Sequence, residues 1–84
     1  MRRVALIIGA DPKHMKFGPE VVLGRGMWEV QSEQPAHFRV HHTAGCLELL
    51  PGTSGSLKHP GVVRVELLNG DGLSHVTVYA TSKE

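Results

Sequence analysis

The chain predicts an all-β fold, a small barrel or sandwich of six or seven short antiparallel strands with at most one helical turn near residues 11–16. Three observations carry that expectation. Ten glycines and five prolines are scattered between short apolar runs, a spacing that favours many turns and few long helices. Several of those runs alternate apolar and polar residues with a period of two, the mark of a half-buried strand. No internal repeat, heptad or low-complexity tract interrupts the pattern. Eighty-four residues make a single all-β domain over 1–84, because so short a chain does not divide into two self-supporting cores. A chain of this size buries about 60–65% of its unfolded surface, so its core is thin.

The elements follow in order. Val4-Ala5-Leu6-Ile7-Ile8 reads as a strand buried on both faces, closed by Gly9. A long loop (9–19) follows, bounded by the turn signals Asp11-Pro12 and Gly18-Pro19. Within it Asp11 is placed to cap one helical turn that starts at Pro12. Residues 20–31 offer two half-strands around Gly24-Arg25-Gly26, either as a tight hairpin or as one strand with a glycine bulge. Strands are expected over 36–42 and 46–50, then a polar loop over 51–61, then strands over 62–68 and 73–81. Short strands leave edges to be covered or paired, and a second copy of the chain is one way to do so, so a homodimer is expected.

Composition narrows the function classes. Apolar residues make up 40% and charged residues 20%, too hydrophobic a balance for a disordered chain. Nine Lys/Arg against eight Asp/Glu give a net charge of +1, far from the basic bias of a dedicated nucleic-acid binder. The charge is uneven: residues 1–25 hold five bases and two acids, and the remainder four bases and six acids. Cys46, the single cysteine, cannot close an internal disulfide, which fits a reducing compartment. The five-residue apolar run after Arg2 and Arg3 is shorter than a secretory signal core. Nothing approaches the roughly 20 apolar residues of a membrane-spanning helix. These features set the expectation of a cytoplasmic protein without membrane contact.

Two hairpins have assignable faces. In the carboxy-terminal one, Val63, Val65 and Leu67 share a face, as do Val76, Val78 and Ala80. A four-residue connection over 69–72 pairs Leu68 with Leu73, Val65 with Val76 and Val63 with Val78, and sets Glu66 opposite His75. In the middle hairpin, pairing His42 with Leu47 puts Phe38, Val40, Leu47 and Leu49 on the core side. It also sets His41 opposite Glu48 and leaves Cys46 in the loop.

The segment "HFRVHHTAGC" (37–46) concentrates three histidines and the cysteine, both good zinc ligands. Alternation disperses them. His37 and His41 lie roughly 13 Å apart along one strand face, too far to share an ion, and His42 points the other way. The metal candidates that remain are His42 and Cys46 at the loop end, and no paired-ligand spacing supports them. Catalysis by Cys46 needs a histidine beside it held by a carboxylate; with Cys46 in the loop and His41 on Glu48, that grouping does not form. Gly24 and Gly26 lack the third glycine and helix of a phosphate loop, and residues 69–72 lack the later glutamate of a calcium loop.

A single-stranded nucleic acid needs a basic groove with aromatic platforms. Lys13, His14, Lys16, Phe17, Arg25 and Trp28 supply one if the 9–19 loop folds over the 20–31 strands, and the same residues serve as a partner-binding patch. The resulting expectation is a non-enzymatic binding or accessory domain that acts through protein–protein contacts and self-associates, with no cofactor. A single-strand nucleic-acid binder and a small metal-dependent or cysteine hydrolase are the alternatives.

Overall fold

A computed structural model describes residues 2–8, 17–69 and 76–83. They form eight strands and two antiparallel four-stranded sheets: β1 (Arg3–Ile8), β2 (Val21–Leu23), β3 (Met27–Ser32), β4 (His37–His42), β5 (Gly45–Leu49), β6 (Ser54–Lys58), β7 (Gly61–Asn69) and β8 (Val76–Ser82). The first sheet runs β1-β8-β3-β6 and the second β2-β7-β4-β5. The all-β expectation holds. Strand count rises from six or seven to eight, and the helical turn at 11–16 lies outside the described residues.

The eighth strand comes from the stretch read as a polar loop. Ser54, Gly55 and Ser56 have poor strand propensity, yet β6 pairs with β3 over Ser54–Lys58 at the sheet edge. Leu57 is its one deeply buried anchor. Gly55 suits the close approach of the sheets, since a Cβ there would come within 2.8 Å of Leu47 Cδ2.

Alternation sets the inner faces. Val63, Val65 and Leu67 of β7 and Val76, Val78 and Ala80 of β8 are all buried, as are Trp28 and Val30 of β3 and Phe38 and Val40 of β4. Burial of these side chains between two sheets is the main stabilisation, at about 1.5–3 kcal/mol for each large apolar side chain removed from water. β1 departs from the expected strand buried on both faces. It is a sheet edge, with Leu6 buried and Ala5 exposed.

The expected carboxy-terminal hairpin is overturned. Val65 pairs with Val40 and Val63 with Val21, in the second sheet. Val76 pairs with Ile8, while Val78 lies between Leu6 and Ser32, in the first. The apolar faces were assigned correctly, but they meet across the sandwich and not side by side. Leu73 and His75, and so their expected partnerships, lie outside the described residues. The Gly24–Gly26 segment likewise is neither a hairpin within one sheet nor a bulge; it carries the chain from the second sheet to the first.

The middle hairpin forms, two residues out of the expected register. His42 pairs with Gly45, His41 with Cys46, Val40 with Leu47, Arg39 with Glu48 and Phe38 with Leu49. A slip of two keeps every side chain on its face, so the hydrophobic pattern does not distinguish the two pairings. Cys46 consequently sits in β5, not in the loop.

Three turns meet where β6 passes into β7. The His59 amide donates to the Gly26 carbonyl, and the Gly26 amide donates to His59 Nδ1, each at 2.8 Å. The Thr43 amide donates to the Pro60 carbonyl at 3.1 Å, and Thr43 Oγ1 accepts from the Val62 amide at 3.3 Å. Gly61 has φ +69°, and a Cβ there would collide with Thr43 Oγ1. Gly61→Ala should therefore cost about 1–3 kcal/mol or more, combining left-handed backbone strain with overpacking. Gly24→Ala, where a new Cβ meets open space, should stay within about 1 kcal/mol. Urea unfolding of the two variants checks the contrast.

Candidate functional site

The outer face of the second sheet gathers histidines, arginines and glutamates that the register sets side by side. Strand β4 is central, with β5 on one side and β7 on the other. Alternation turns His37, Arg39 and His41 outward while Phe38 and Val40 go into the core. Glu48 and Glu66 then flank Arg39 in one cross-strand row, and Cys46 and Arg64 flank His41 in the next.

The side chains link these rows into a ladder. Arg39 Nη2 donates to Glu48 Oε1 at 2.9 Å, and Arg39 Nη1 reaches Glu66 Oε1 at 3.5 Å. His37 Nε2 lies 3.0 Å from Glu48 Oε2, and His41 Nε2 lies 2.8 Å from Glu66 Oε1. Both contacts are diagonal, the reach expected of long side chains on neighbouring strands. Exposed pairs of this kind are screened by solvent and each contributes little; Glu66, only 18% exposed, is better shielded than Glu48. The Glu48 carboxyl is held below the usual carboxylate range, first by the Arg39 hydrogen bond and then by that from His37.

Aromatic and apolar side chains border the ladder. The Phe17 backbone bridges to Glu66, and its ring lies 4.7 Å from the Arg64 guanidinium and 6.0 Å from the His41 ring. Arg64 Nε donates to the Gly18 carbonyl at 3.0 Å, while the Gly18 amide donates to the Val65 carbonyl at 2.8 Å, which holds this stack against β7. Farther along, Val22 and Val62 pair across β2 and β7 on the same outer face, 72% and 46% exposed.

Of the six residues singled out from sequence as a binding patch, the three described ones, Phe17, Arg25 and Trp28, occupy different parts of the fold. Lys13, His14 and Lys16 lie outside the described residues. Phe17 is on the outer face of the second sheet, and Arg25 is exposed in the turn between β2 and β3. Trp28 is 2% exposed in the core, with its indole N–H donating to the Gly24 carbonyl at 2.8 Å, so it offers no stacking platform to solvent. The His42–Cys46 pairing is also corrected. Cys46 faces outward beside His41, whereas His42 lies on the core-side face of β4, because neighbours along a strand alternate. Among the described residues no group of three or more His, Cys, Asp or Glu side chains is placed to share a metal ion.

The expected Glu48–His41 contact gives way to Glu48 on Arg39 and His37, with Glu66 taking His41. Glu66 was missed because it was assigned to the β8 side; only the β4–β7 pairing brings it to Arg39 and His41. The β4–β5 pairing sets Cys46 beside His41, and the β4–β7 pairing brings Glu66 diagonally to the same histidine. A cleft opens on the other sheet, lined by Arg3, Gln31, Glu33 and Tyr79 among others.

Because the Glu48 pKa is lowered by folding, its contribution to stability is present above the usual glutamate range and is lost as pH falls through the depressed value. The stability gap between the native chain and Glu48→Gln should hold steady above that range and close progressively in acid below about pH 4. Urea titrations across this window test it, and a gap that widened in acid would contradict the assignment. Among the described residues no helix is long and apolar enough to cross a membrane. Comparison of the chain with protein-family models, curated proteins and solved structures finds no match.

Proposed function

We propose that this domain is a non-enzymatic binding module that docks another protein, in the first place a second copy of itself, on the outer face of the β2-β7-β4-β5 sheet. One observation carries the reading: exposed Phe17, Val22 and Val62 share that face with an evenly balanced set of charges, Arg39 and Arg64 against Glu48 and Glu66. Interfaces of this kind combine apolar and aromatic anchors with arginines and a polar rim. Balanced, interleaved charges are self-complementary, so a two-fold related copy can set arginines against glutamates without building up one sign.

The same balance weighs against a polyanion. A single-stranded nucleic acid requires a basic track and free aromatic faces. Here Arg39 is held between two carboxylates, Arg64 donates to the Gly18 carbonyl and lies over the Phe17 ring, and Trp28 is in the core. A cytoplasmic setting remains the matching expectation for a chain with one cysteine.

Sedimentation over a dilution series tests the reading. The native chain should run as a dimer that dissociates on dilution. Val62→Glu should weaken association by about tenfold or more, since it buries an unpaired charge in the interface, while its melting temperature stays close to native. A chain that is monomeric throughout, yet binds an oligonucleotide with a steep salt dependence, would replace this reading with the nucleic-acid one.

A further inference from the structure

The opposite face of the sandwich carries a second feature, independent of the docking surface. On the outer face of the first sheet a cleft of about 360 Å³ opens between β1, β8, β3 and the segment that leaves β3. That volume lies within the roughly 300–1,000 Å³ range of small-molecule sites. Register explains its lining. Arg3 pairs with Thr81 and Thr81 with Glu29 in one row, and Tyr79 pairs with Gln31 in the next. Residues 33 and 34 close one end, where the Glu33 amide donates to the Thr77 carbonyl and Gln34 Oε1 accepts from the Thr77 amide, both at 2.8 Å.

We propose that this cleft binds a small neutral polyhydroxylated ligand, a saccharide. The Arg3 guanidinium lies 3.7 Å over the Tyr79 ring. The ring face holds the guanidinium by its charge and accepts no conventional hydrogen bond from it, so the N–H donors stay available to a ligand. Tyr79 is therefore a positioning residue for Arg3. Among the described residues neither Arg3 nor Glu33 has an oppositely charged partner, whereas Glu29 is joined by Lys83 at 3.5 Å. The cleft thus offers a donor-only group (Arg3), an acceptor-only group (Glu33) and groups that do both (Gln31, Tyr79, Thr81). Anionic ligands would meet the carboxylates of Glu29 and Glu33, and cationic ligands would meet Arg3. A sugar hydroxyl donates and accepts at the same atom, so it satisfies both kinds of wall without bringing a charge. Planar amide, carboxylate and guanidinium groups also present two polar atoms side by side, the geometry that matches adjacent ring hydroxyls.

Amide shifts of the isotope-labelled chain, titrated separately with maltotriose, cellotriose, lysine and inorganic phosphate, test the proposal. A saccharide should give saturable shifts confined to residues 3, 31–33 and 79–81. Arg3→Ala and Gln31→Ala should each weaken that binding by about tenfold, the effect of losing one strong hydrogen bond. Tyr79→Leu should weaken it as Arg3→Ala does, while Tyr79→Phe, which keeps the ring under Arg3, should stay within about threefold. The amide spectrum of each variant reports whether it is folded, and the two single-site variants on different strands keep the test open if one is not. Absence of saccharide shifts, shifts mapping to the other sheet, or a response to lysine or phosphate alone would each overturn the assignment.

Discussion

The corner from His59 to Gly61 is the constraint on which the rest of the sandwich depends. It is the point at which β6 of one sheet becomes β7 of the other. Two other turns are hydrogen-bonded to it: Gly26, between β2 and β3, and Thr43, between β4 and β5. His59 has a φ of +48°, the described non-glycine residue with a left-handed backbone, and Pro60 beside it is fully buried. A backbone held in that region costs of order 1–3 kcal/mol and persists only where its surroundings over-determine it. Here the paired bonds between His59 and Gly26, together with the Thr43 contacts, supply that determination. With the corner fixed, the offset between β6 and β7 is fixed, and so is the register of each sheet against the other.

This arrangement follows from how the chain is wound. Every connection except the β4–β5 turn carries the chain across from one sheet to the other. Consecutive strands therefore contribute to one core from opposite sides, and their apolar faces meet through the middle. Phe38, Val40, Val63 and Val65 on one side oppose Val30, Val76, Val78 and Ala80 on the other. Among the described residues no helix covers the sheets of this thin core, and side chains on both outer faces are exposed. The two faces differ in kind. One presents charged side chains already joined to one another beside exposed apolar residues, and the other presents polar groups, several with no partner among the described residues, around a cleft. The proposed docking surface and the proposed saccharide cleft thus lie on opposite sides of the core.

Much of the candidate site was legible only in fragments. His37, Arg39 and His41 are assigned to one outward face by alternation, and the structure keeps them there. Their partners were not legible. Glu48 moves from His41 to Arg39 and His37 because the hairpin closes two residues tighter, a change invisible to the apolar pattern. Glu66 arrives from β7, a strand that lies 19 or more residues farther along the chain than β4, and nothing local marks it as a neighbour. Trp28 gave a composition signal for stacking, but its place on an inward position of β3 decides the matter against that use. The strand at Ser54–Lys58 escaped notice because edge pairing with β3, and not propensity, makes it a strand.

What the sequence by itself determined is the facing of β4, β5, β7 and β8 and most of the points where the chain turns. Both are local: side chains alternate because of backbone sterics, and Gly and Pro mark the conformations that other residues resist. What only the tertiary structure decided is which strand lies beside which. Backbone hydrogen bonds are the same for every residue, so Val65 is as able to pair with Val76 as with Val40. The choice belongs to the packing of two sheets around one core and to the corner that orients them. Through that choice the structure set every cross-strand partner of Arg39 and His41, and with them the chemistry of the face.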